Sequence, residues 1–310
     1  MGNWFKTTLL LGVMTALIVG IGHLFGGRQG MIFAFVLALG MNFFSYWYSD
    51  RIVLKMSRAR EATPGQYPWL HEMVGRIAGR ADLPVPRIYI IPEDAPNAFA
   101  TGRNPAHAVV AVTEGLLRFM DREEVEGVLS HEMAHIKNRD ILIGSIAATM
   151  AGAVMIIANM ARWTAIFGGA SGDDEEGGGF GALGMILLSI LAPLAAMLIQ
   201  MAISRSREYH ADASGASFTG HPNGLARALE KLGAYSRRIP MQASPNTAHM
   251  YIVNPLSAGG IAHLFSTHPP LEERIARLRG GRSGPTPIPF EGEEDRGKKA
   301  AEEAWRHLSR

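Results

Sequence analysis

The chain has 310 residues, of which 47% are hydrophobic and 19% are charged, and its mean hydropathy is +0.07. A formal net charge of +2, without a basic stripe interleaved with aromatic residues, argues against a nucleic-acid partner. The absence of cysteine excludes disulfides, thiolate metal ligands and a cysteine nucleophile, so any metal site must be built from His, Asp or Glu.

Four apolar stretches are each about 20 residues long, the length that a helix needs to cross the hydrocarbon core of a bilayer. They cover residues 7–27, 29–49, 141–161 and 180–203. The Gly-, Asp- and Glu-rich residues 162–179 predict an exposed loop between the last two stretches. The expected fold class is a mainly α membrane protein, with a four-span helical region contributed by residues 1–49 and 141–203.

Basic residues flank these stretches unequally. Arg28 and Arg162 lie on one side of the predicted membrane region. The other side carries Lys6, Arg51, Lys55, Arg58, Arg60, Lys137, Arg139, Arg205 and Arg207. Because cytoplasmic loops are enriched in Lys and Arg, we expect both termini and the segments 50–140 and 204–280 to face the cytoplasm.

The first cytoplasmic segment, residues 50–140, contains patterns for helices and strands. Apolar residues at helical spacing in "PWLHEMVGRIAGRADLP" predict a helix that ends near Asp82. The stretches "RIYII" and "HAVVAVT" predict two strands, joined by the turn-rich "PEDAPNAFATGRNPA". Asp121 and Glu124 form a capping-box pattern at the start of the following helix.

The second cytoplasmic segment, residues 204–280, has a helical pattern in "LARALEKLGAYS" and a stretch rich in Pro, Gly and Asn that runs to Pro270. A last helix is predicted in "LEERIARLRG" and ends at Gly280. Residues 281–310 predict a flexible tail. The two segments together are expected to form one α+β domain.

Residues 129–140, "LSHEMAHIKNRD", contain two histidines four residues apart, with a glutamate after the first. This spacing places His131 and His135 on one face of a helix, so both imidazoles can bind one metal ion while Glu132 projects beside it. The pattern predicts one catalytic zinc ion per chain, with Glu132 as the general base that activates water.

A catalytic zinc ion usually has three protein ligands. Asn138 and Ile141 stand where the extended motif needs a glycine and a third histidine, so the third ligand must come from elsewhere. Glu208 follows the fourth span on the same predicted side, and it would lie level with the histidines if both helices continue unbroken from their spans. Asp212, one turn further, is expected to accept the second N–H of a ligating histidine.

Five ordered motifs, "PNAFATG", "VAVTEGLL", "SHEMAH", "SRSREYHAD" and "FSTHPPLEERIARL", closely resemble the bacterial HtpX family of membrane zinc endopeptidases, relatives of the CAAX prenyl proteases. The resemblance covers roughly residues 1–280. It implies a gluzincin-type protease domain on the cytoplasmic face of the inner membrane, acting in the quality control of damaged membrane proteins. It also implies His131, His135 and Glu208 as zinc ligands and Glu132 as the catalytic base.

Other residues are candidates for contacts with substrate. His268 in "STHPP" could donate to the oxyanion, with Arg207 behind it, and "HAVVAVT" could be an edge strand that an extended peptide joins. Asn97 would then bind a peptide amide. Ordinary roles, as a helix-start residue for His268 and a turn residue for Asn97, stay open. The expected partners are unfolded membrane proteins and the lipid bilayer, with cleavage in cytoplasmic loops and juxtamembrane segments.

Three other classes are less favoured. A di-iron carboxylate protein needs a second E-x-x-H motif, and the chain has one, from Glu132 to His135. A zinc transporter should carry its ligands inside a span, whereas the motif lies outside the predicted spans. A non-enzymatic scaffold that binds membrane proteins would not need Glu132 beside three metal ligands.

Overall fold

The computed structural model of this protein describes residues 3–151, 205–236, 238, 247–253 and 269–280. The predictions that lie outside the described residues are those for the fourth span at 180–203, the loop at 162–179, the tail at 281–310 and His268. The third predicted span is described only for its first part. The fold below is therefore that of the N-terminal helices and of the two segments predicted to form the cytoplasmic domain.

The N-terminal region is a helical hairpin. Helix α1 runs from Asn3 to Met56, but Gly27 has φ 53° and ψ −140°, which interrupts the helix and turns the second arm back along the first. The arms approach closely at Gly22 and Gly30, where a Cβ on Gly22 would lie 2.5 Å from the Gly30 carbonyl oxygen. Further along, Asn42 Nδ2 donates a hydrogen bond of 2.8 Å to Thr15 Oγ1.

The second arm, Gly27–Met56, is 30 residues long and has a mean hydropathy of 1.5 in its apolar window, which is long and apolar enough to cross a membrane. The apolar part of the first arm, Thr7–Gly20, is shorter, and so is the described part of the third predicted span, helix α5 at Ile141–Ala151. The count of four spans stays a prediction.

A four-stranded sheet follows the hairpin. Its strands are β1 (Arg60–Glu61), β2 (Arg87–Ile91), β3 (Ala98–Thr101) and β4 (Val109–Thr113), in the spatial order β1-β2-β4-β3. Strand β4 pairs in parallel with β2 and antiparallel with β3. Because side chains alternate across a strand, Val110 and Val112 face the helices, whereas Val109 and Ala111 pack with Val53 and Leu54 at the end of α1.

Two predictions about this sheet were wrong. The stretch "PEDAPNAFATGRNPA" was expected to be turns, but it contains strand β3, which is only four residues long and is flanked by turn-forming residues. The stretch "HAVVAVT" was expected to form an edge strand, but β4 has a neighbour on both sides, and all five of its residues are buried. A continuous apolar run is typical of such a central strand.

The remaining helices surround the sheet and each other. They are α2 (Pro68–Ala81), α3 (Glu114–Phe119), α4 (Arg122–Lys137), α6 (Arg205–Thr219), α7 (Asn223–Ser236) and α8 (Leu271–Leu278), with short 3-10 turns at Pro105–His107 and Ala248–Met250. Helix α2 ends next to Asp82, as predicted, and Asp82 itself has the left-handed conformation. Helix α4 is central, because it packs against α2, β3, α6 and α7.

Helix α4 begins with the predicted capping box. The Asp121 side chain accepts a hydrogen bond of 2.9 Å from the Glu124 N–H, and the Glu124 side chain accepts one of 2.9 Å from the Asp121 N–H. We expected α4 to continue unbroken into the next helix, but the structure shows a break between them. Arg139 has φ 57°, and this left-handed residue separates α4 from α5. The height of the ligands above the membrane therefore cannot be derived from a continuous helix.

Candidate metal centre

Helix α4 brings the two motif histidines together. His131 is fully buried, and its Nε2 atom lies 3.3 Å from Nε2 of His135, one turn later on the same face. Both rings point their Nε2 atoms toward one volume, which leaves each Nδ1 atom for a second partner. The spacing of the motif and the unbroken helical geometry from Arg122 to Lys137 account for this arrangement.

Glu208 on α6 completes a group of three possible ligands. Its carboxylate oxygens lie 3.5 Å from His135 Nε2 and 3.8 Å from His131 Nε2. The helices approach this closely because α6 has Gly215 against α4, where a Cβ would lie only 2.8 Å from the His131 backbone nitrogen. Helix α6 thus delivers a ligand from a segment far away in sequence.

The donor set fits zinc. The three donor atoms all lie within 4.8 Å of one another. In a tetrahedral site with zinc–nitrogen and zinc–oxygen bonds of about 2.0–2.1 Å, neighbouring ligand atoms are ~3.3–3.4 Å apart. The two Nε2 atoms are 3.3 Å apart, and Glu208 approaches them through both of its oxygens, Oε1 at 3.5 Å from His135 Nε2 and Oε2 at 3.8 Å from His131 Nε2. Two imidazoles and one carboxylate are also a common ligand set of catalytic zinc ions.

Each histidine has a carboxylate at its Nδ1 atom. Asp212 Oδ1 lies 2.9 Å from Nδ1 of His131, the kind of contact expected of Asp212 from its place one turn after Glu208. Asp140 Oδ2 lies 3.2 Å from Nδ1 of His135. The Asp140 contact was not predicted, because a continuous helix would have carried Asp140 past His135, whereas the break at Arg139 turns it back.

Arg274 on α8 is the second residue that sequence reasoning missed. It is completely buried, and it donates hydrogen bonds of 2.9 and 2.7 Å to the two carboxylate oxygens of Asp212. Its Nη1 atom also lies 3.7 Å from Glu208 Oε2. A signal was present, because Arg274 lies on the same helical face as Leu271 and Leu278, where a charge is unexpected.

Charges around the site shift the pKa values of its residues. Burial acts to raise the pKa of Asp212, but the Arg274 charge and hydrogen bonds outweigh it and lower this pKa to about 2. Burial lowers the pKa of His131 to about 4. Burial also acts to lower the pKa of His135, yet the hydrogen bond to Asp140 and the charge of Glu208 raise it to about 9. Before metal binding, these pKa values favour a neutral His131 and a protonated His135 at neutral pH.

Glu132 lies beside the ligands and is only 2% exposed. Burial raises the pKa of its carboxyl group to about 7, although the positive charge of His135 and a hydrogen bond from the backbone of Ala100 on β3 act in the opposite direction. A carboxyl group with a pKa near neutrality can both accept and release a proton under physiological conditions.

The residues predicted to bind substrate have other partners here. Asn97 is buried, and its Nδ2 donates a hydrogen bond of 2.8 Å to the Val253 carbonyl. Its Oδ1 accepts a hydrogen bond of 3.4 Å from the Val253 N–H. Arg207 Nη1 lies 3.7 Å from Asp140 Oδ1, and the other oxygen of this carboxylate lies 3.2 Å from Nδ1 of His135. Substrate contacts by these two residues stay predictions, and so does the role of His268.

The segment Tyr251–Val253 lies along the outer edge of β3. The Ile252 N–H donates a hydrogen bond of 3.1 Å to the Ala98 carbonyl, and Arg274 Nη1 donates one of 3.1 Å to the Ile252 carbonyl. The chain itself thus covers the first residues of the edge strand. Ala100, the next residue of β3 whose backbone faces outward, contacts Glu132 instead.

Comparison with known proteins identifies the family. The profile of "Peptidase family M48" matches residues 64–282, which include the three candidate ligands and Glu132. A "Protease HtpX homolog" of Desulfatibacillum aliphaticivorans is 62% identical over 310 residues, covering 99% of this chain and 100% of the relative. Another, of Desulforapulum autotrophicum, is 64% identical over 286 residues, covering 92% of each chain.

A solved structure, "Crystal Structure of S. mikatae Ste24p", aligns with a TM-score of 0.46 at 19% identity, covering 89% of this chain and 65% of that chain, a similarity too low to support an inference. The sequence matches are sufficient without it, because they span most of the chain, including the site. As the resemblance to HtpX proteins predicted, the chain belongs to peptidase family M48 and is a zinc metalloendopeptidase.

Proposed function

We propose that this membrane zinc metalloendopeptidase hydrolyses peptide bonds in cytoplasmic loops of misfolded or damaged membrane proteins. The observation that carries the proposal is the position of the metal site at the start of an apolar helix. His135 contacts Asp140, and α5 begins at the next residue, Ile141. If α5 enters the bilayer, the site lies at the membrane surface, within reach of loops but outside the hydrocarbon core.

The chemistry follows from the residues around the candidate ligands. Zinc bound by His131, His135 and Glu208 would polarise the scissile carbonyl and lower the pKa of a water molecule. The Glu132 carboxylate accepts a proton from this water and returns it to the nitrogen of the leaving amine. In the metal-free site, burial already raises the pKa of Glu132 to about 7, which favours its holding a proton between the two steps. General-base groups of this kind typically accelerate a reaction by a factor of about 10²–10⁴.

Other side chains orient the site. Asp140 and Asp212 accept hydrogen bonds from the Nδ1 atoms of the ligating histidines, which fixes the tautomer that leaves Nε2 for the metal. Arg274 holds Asp212 in place through two hydrogen bonds. We keep His268 as the predicted donor to the oxyanion, with a basic side chain such as Arg207 supporting the negative charge nearby.

The substrate would bind in an extended conformation. Among the residues that the structure describes, β3 is the last strand of the sheet, and an added strand can pair with the outward-facing backbone of an edge strand. Since Tyr251–Val253 covers Ala98 and the Ala100 N–H contacts Glu132, we propose that a substrate N–H pairs with the Ala100 carbonyl. Pairing through the main chain requires little of the substrate side chains, which suits an enzyme that cleaves many unfolded sequences.

The membrane then explains substrate choice. A folded soluble protein offers neither an extended backbone nor proximity to the site, whereas a membrane protein that has lost its fold exposes loops in the same bilayer. Peptide bonds inside spans stay in helical hydrogen bonds and cannot pair with β3. We place the site, both termini and the segments 50–140 and 204–280 on the cytoplasmic side of a bacterial plasma membrane, as the distribution of Lys and Arg predicts.

Mapping of cleavage sites tests this proposal. The full chain, loaded with zinc, is reconstituted in liposomes with a misfolded multi-span membrane protein, and the products are identified by mass spectrometry. We expect cuts in loops and juxtamembrane segments of the cytoplasmic side only, and none with Glu132→Gln. Cuts concentrated inside spans, or in loops of the opposite side, would contradict the proposed geometry. A zinc transporter or a non-enzymatic scaffold would give no cleavage that depends on Glu132.

A further inference from the structure

A cleft lies at the end of the hairpin, away from the metal centre. Its volume is about 420 Å³, and its lining includes Trp47, Asp50, Arg51, Arg87, Arg103 and His107. These residues come from α1, from the start of β2, from the loop after β3 and from the 3-10 turn that precedes β4. The cleft is thus formed where the membrane hairpin joins the sheet of the protease domain.

The lining brings together more positive than negative charge. Three arginines and a histidine converge on the cleft, and Asp50 is the acidic residue among them. Asp50 Oδ2 lies 3.5 Å from Arg87 Nη2, so this carboxylate is engaged with one of the three arginines. Like charges that converge from separate segments repel one another, and an anion in the cleft would relieve this repulsion.

The two other arginines face aromatic rings. Arg103 lies 5.0 Å from the centre of the Trp47 ring, and Arg51 lies 5.6 Å from the centre of the Tyr48 ring. Neither forms a salt bridge with any of the residues that the structure describes. A guanidinium held against a ring keeps its N–H groups available for a phosphate, which it can bind through two parallel hydrogen bonds.

The cleft lies at the level where an apolar surface ends. Along the second arm of α1, a run of exposed large apolar side chains reaches Trp47 and Tyr48, at 44% and 39%, and Asp50 and Arg51 follow within one turn. Beyond them on this arm, Met56 is the next exposed large apolar side chain. Aromatic residues followed by basic ones are typical of the headgroup region of a membrane. Trp47 belongs to both features, since it ends the apolar surface and lines the cleft.

We propose that this cleft binds the phosphate of an anionic phospholipid head group, with Arg51, Arg87 and Arg103 as its ligands. An acyl chain of the same lipid would run along the exposed apolar face of α1. The chemistry of recognition is that of any phosphate ester, but the position beside the apolar surface selects a lipid over a soluble phosphate compound. Such a lipid would bridge the hairpin and the sheet.

Native mass spectrometry of the full chain, released from detergent micelles, tests the proposal with phosphatidylglycerol, phosphatidylcholine and inorganic phosphate as probes. We expect one phosphatidylglycerol molecule to be retained, at least about tenfold more tightly than phosphatidylcholine, because the choline of phosphatidylcholine carries a positive charge that the three arginines repel. The triple variant Arg51→Gln, Arg87→Gln, Arg103→Gln should lose this preference.

The matched control removes the same charge elsewhere, through Arg76→Gln, Arg118→Gln and Arg122→Gln, and it should keep the preference. An equal loss in the control would assign the effect to general surface charge and overturn the proposal. Retention of inorganic phosphate without any preference for phosphatidylglycerol would overturn it in favour of a soluble ligand. If the triple variant fails to fold, Arg103→Gln alone must weaken phosphatidylglycerol binding, and an unchanged affinity would contradict the site.

Discussion

The role of Glu132 in catalysis can be tested apart from zinc binding, because Glu132→Gln replaces one carboxylate oxygen with an NH2 group. In Glu132→Gln the amide keeps the shape of the side chain but cannot accept a proton from water. We expect a loss of about 10²–10⁴ in kcat/KM with zinc retained at one ion per chain. Peptide hydrolysis and metal analysis measure the two quantities. Glu126→Gln on the same helix is the control, and near-normal cleavage by Glu132→Gln would remove it from the base role.

Asp140 and Asp212 should differ when each is replaced by Asn. Asp140→Asn weakens the orientation of His135, and we expect zinc affinity to fall about 10–100-fold. Its loss of stability should be the smaller of the two, because Arg207 lies 3.7 Å from Asp140, farther than Arg274 lies from Asp212. Asp212→Asn also removes the charge that faces the fully buried Arg274. Arg274 then keeps only the longer contact of 3.7 Å with Glu208. Removing one partner of a buried ion pair costs about 3–5 kcal/mol, so this variant should also melt at a lower temperature.

Zinc titration and thermal melting of both variants measure this difference. Asp94→Asn, an exposed carboxylate paired with Arg118, serves as the control that changes one surface charge. Equal melting temperatures for the Asp140 and Asp212 variants would contradict the pairing of Arg274 with Asp212 as the larger contribution to stability.

Zinc binding should depend on pH through His135. In the metal-free protein its pKa is raised to about 9, so it is protonated at pH 7 and must release this proton to bind zinc. Apparent zinc affinity should therefore increase about tenfold per pH unit from pH 7 toward 9 and then level off. Calorimetry in buffers of different ionisation enthalpy measures the released proton. In Asp140→Asn the increase should end at lower pH, and an affinity independent of pH in the wild type would contradict the assignment.

The sequence predicts the three residues that the structure brings together as a candidate metal site and one of the residues that contact them, but not Asp140 or Arg274. The spacing of the motif predicts His131 and His135. The shared side of the membrane predicts Glu208, and the place one turn later predicts Asp212. Asp140 could not be predicted, because its contact with His135 depends on a left-handed residue at Arg139. Arg274 is brought in by tertiary packing of α8, which no local pattern specifies.

At the scale of elements, the packing of α6 on α4 determines whether the third ligand reaches the site. Gly215→Ala would place a Cβ 2.8 Å from the His131 backbone nitrogen, which forces the helices apart. We expect weaker zinc binding and a loss of stability of about 1–3 kcal/mol, the usual cost of overpacking.

Gly75→Ala is the matched control for that substitution, because a Cβ at Gly75 would meet no atom within 4 Å and alanine favours the helix. It should leave zinc binding unchanged and stabilise the protein slightly. Zinc titration and chemical denaturation of both variants measure the effects. Wild-type zinc affinity in Gly215→Ala would show that the helices can separate without moving Glu208.

Helices were predicted better than strands, for a physical reason. Helix α2 and the start of α4 carry apolar periodicity and caps within the helix itself, and these local signals agree with the structure. Strand β3 has four residues, and it is stabilised by pairing with β4 and by the segment at Ile252, both distant in sequence. Which strand lies at the edge of the sheet, β3 rather than β4, likewise depends on the topology of the whole sheet and not on the residues of one strand.

At the scale of the whole molecule, the site joins two segments that lie on either side of a long apolar region of the sequence. His131 and His135 precede the stretches at 141–161 and 180–203, and Glu208 follows them. Three ligand atoms within 4.8 Å require both segments to lie on one side of the membrane. An even number of crossings between Asp140 and Arg205 satisfies this requirement, and two is the number that the apolar stretches predict.

The absence of native cysteine allows this topology to be tested with single reporters. We expect Glu72→Cys and Ser217→Cys, at exposed positions of α2 and α6, to react with a membrane-impermeant maleimide in inverted vesicles. Ser171→Cys, in the stretch 162–179, should react only from the opposite side, in right-side-out cells. Mass shifts on gels measure the labelling, and detergent-solubilised samples control for the reactivity of each thiol. Labelling of Glu72→Cys and Ser217→Cys from opposite sides would exclude a shared metal site, because no helix packing can bring ligands together across a bilayer. Labelling of all three from the same side would keep the site and show that residues 141–203 do not cross the membrane as two spans.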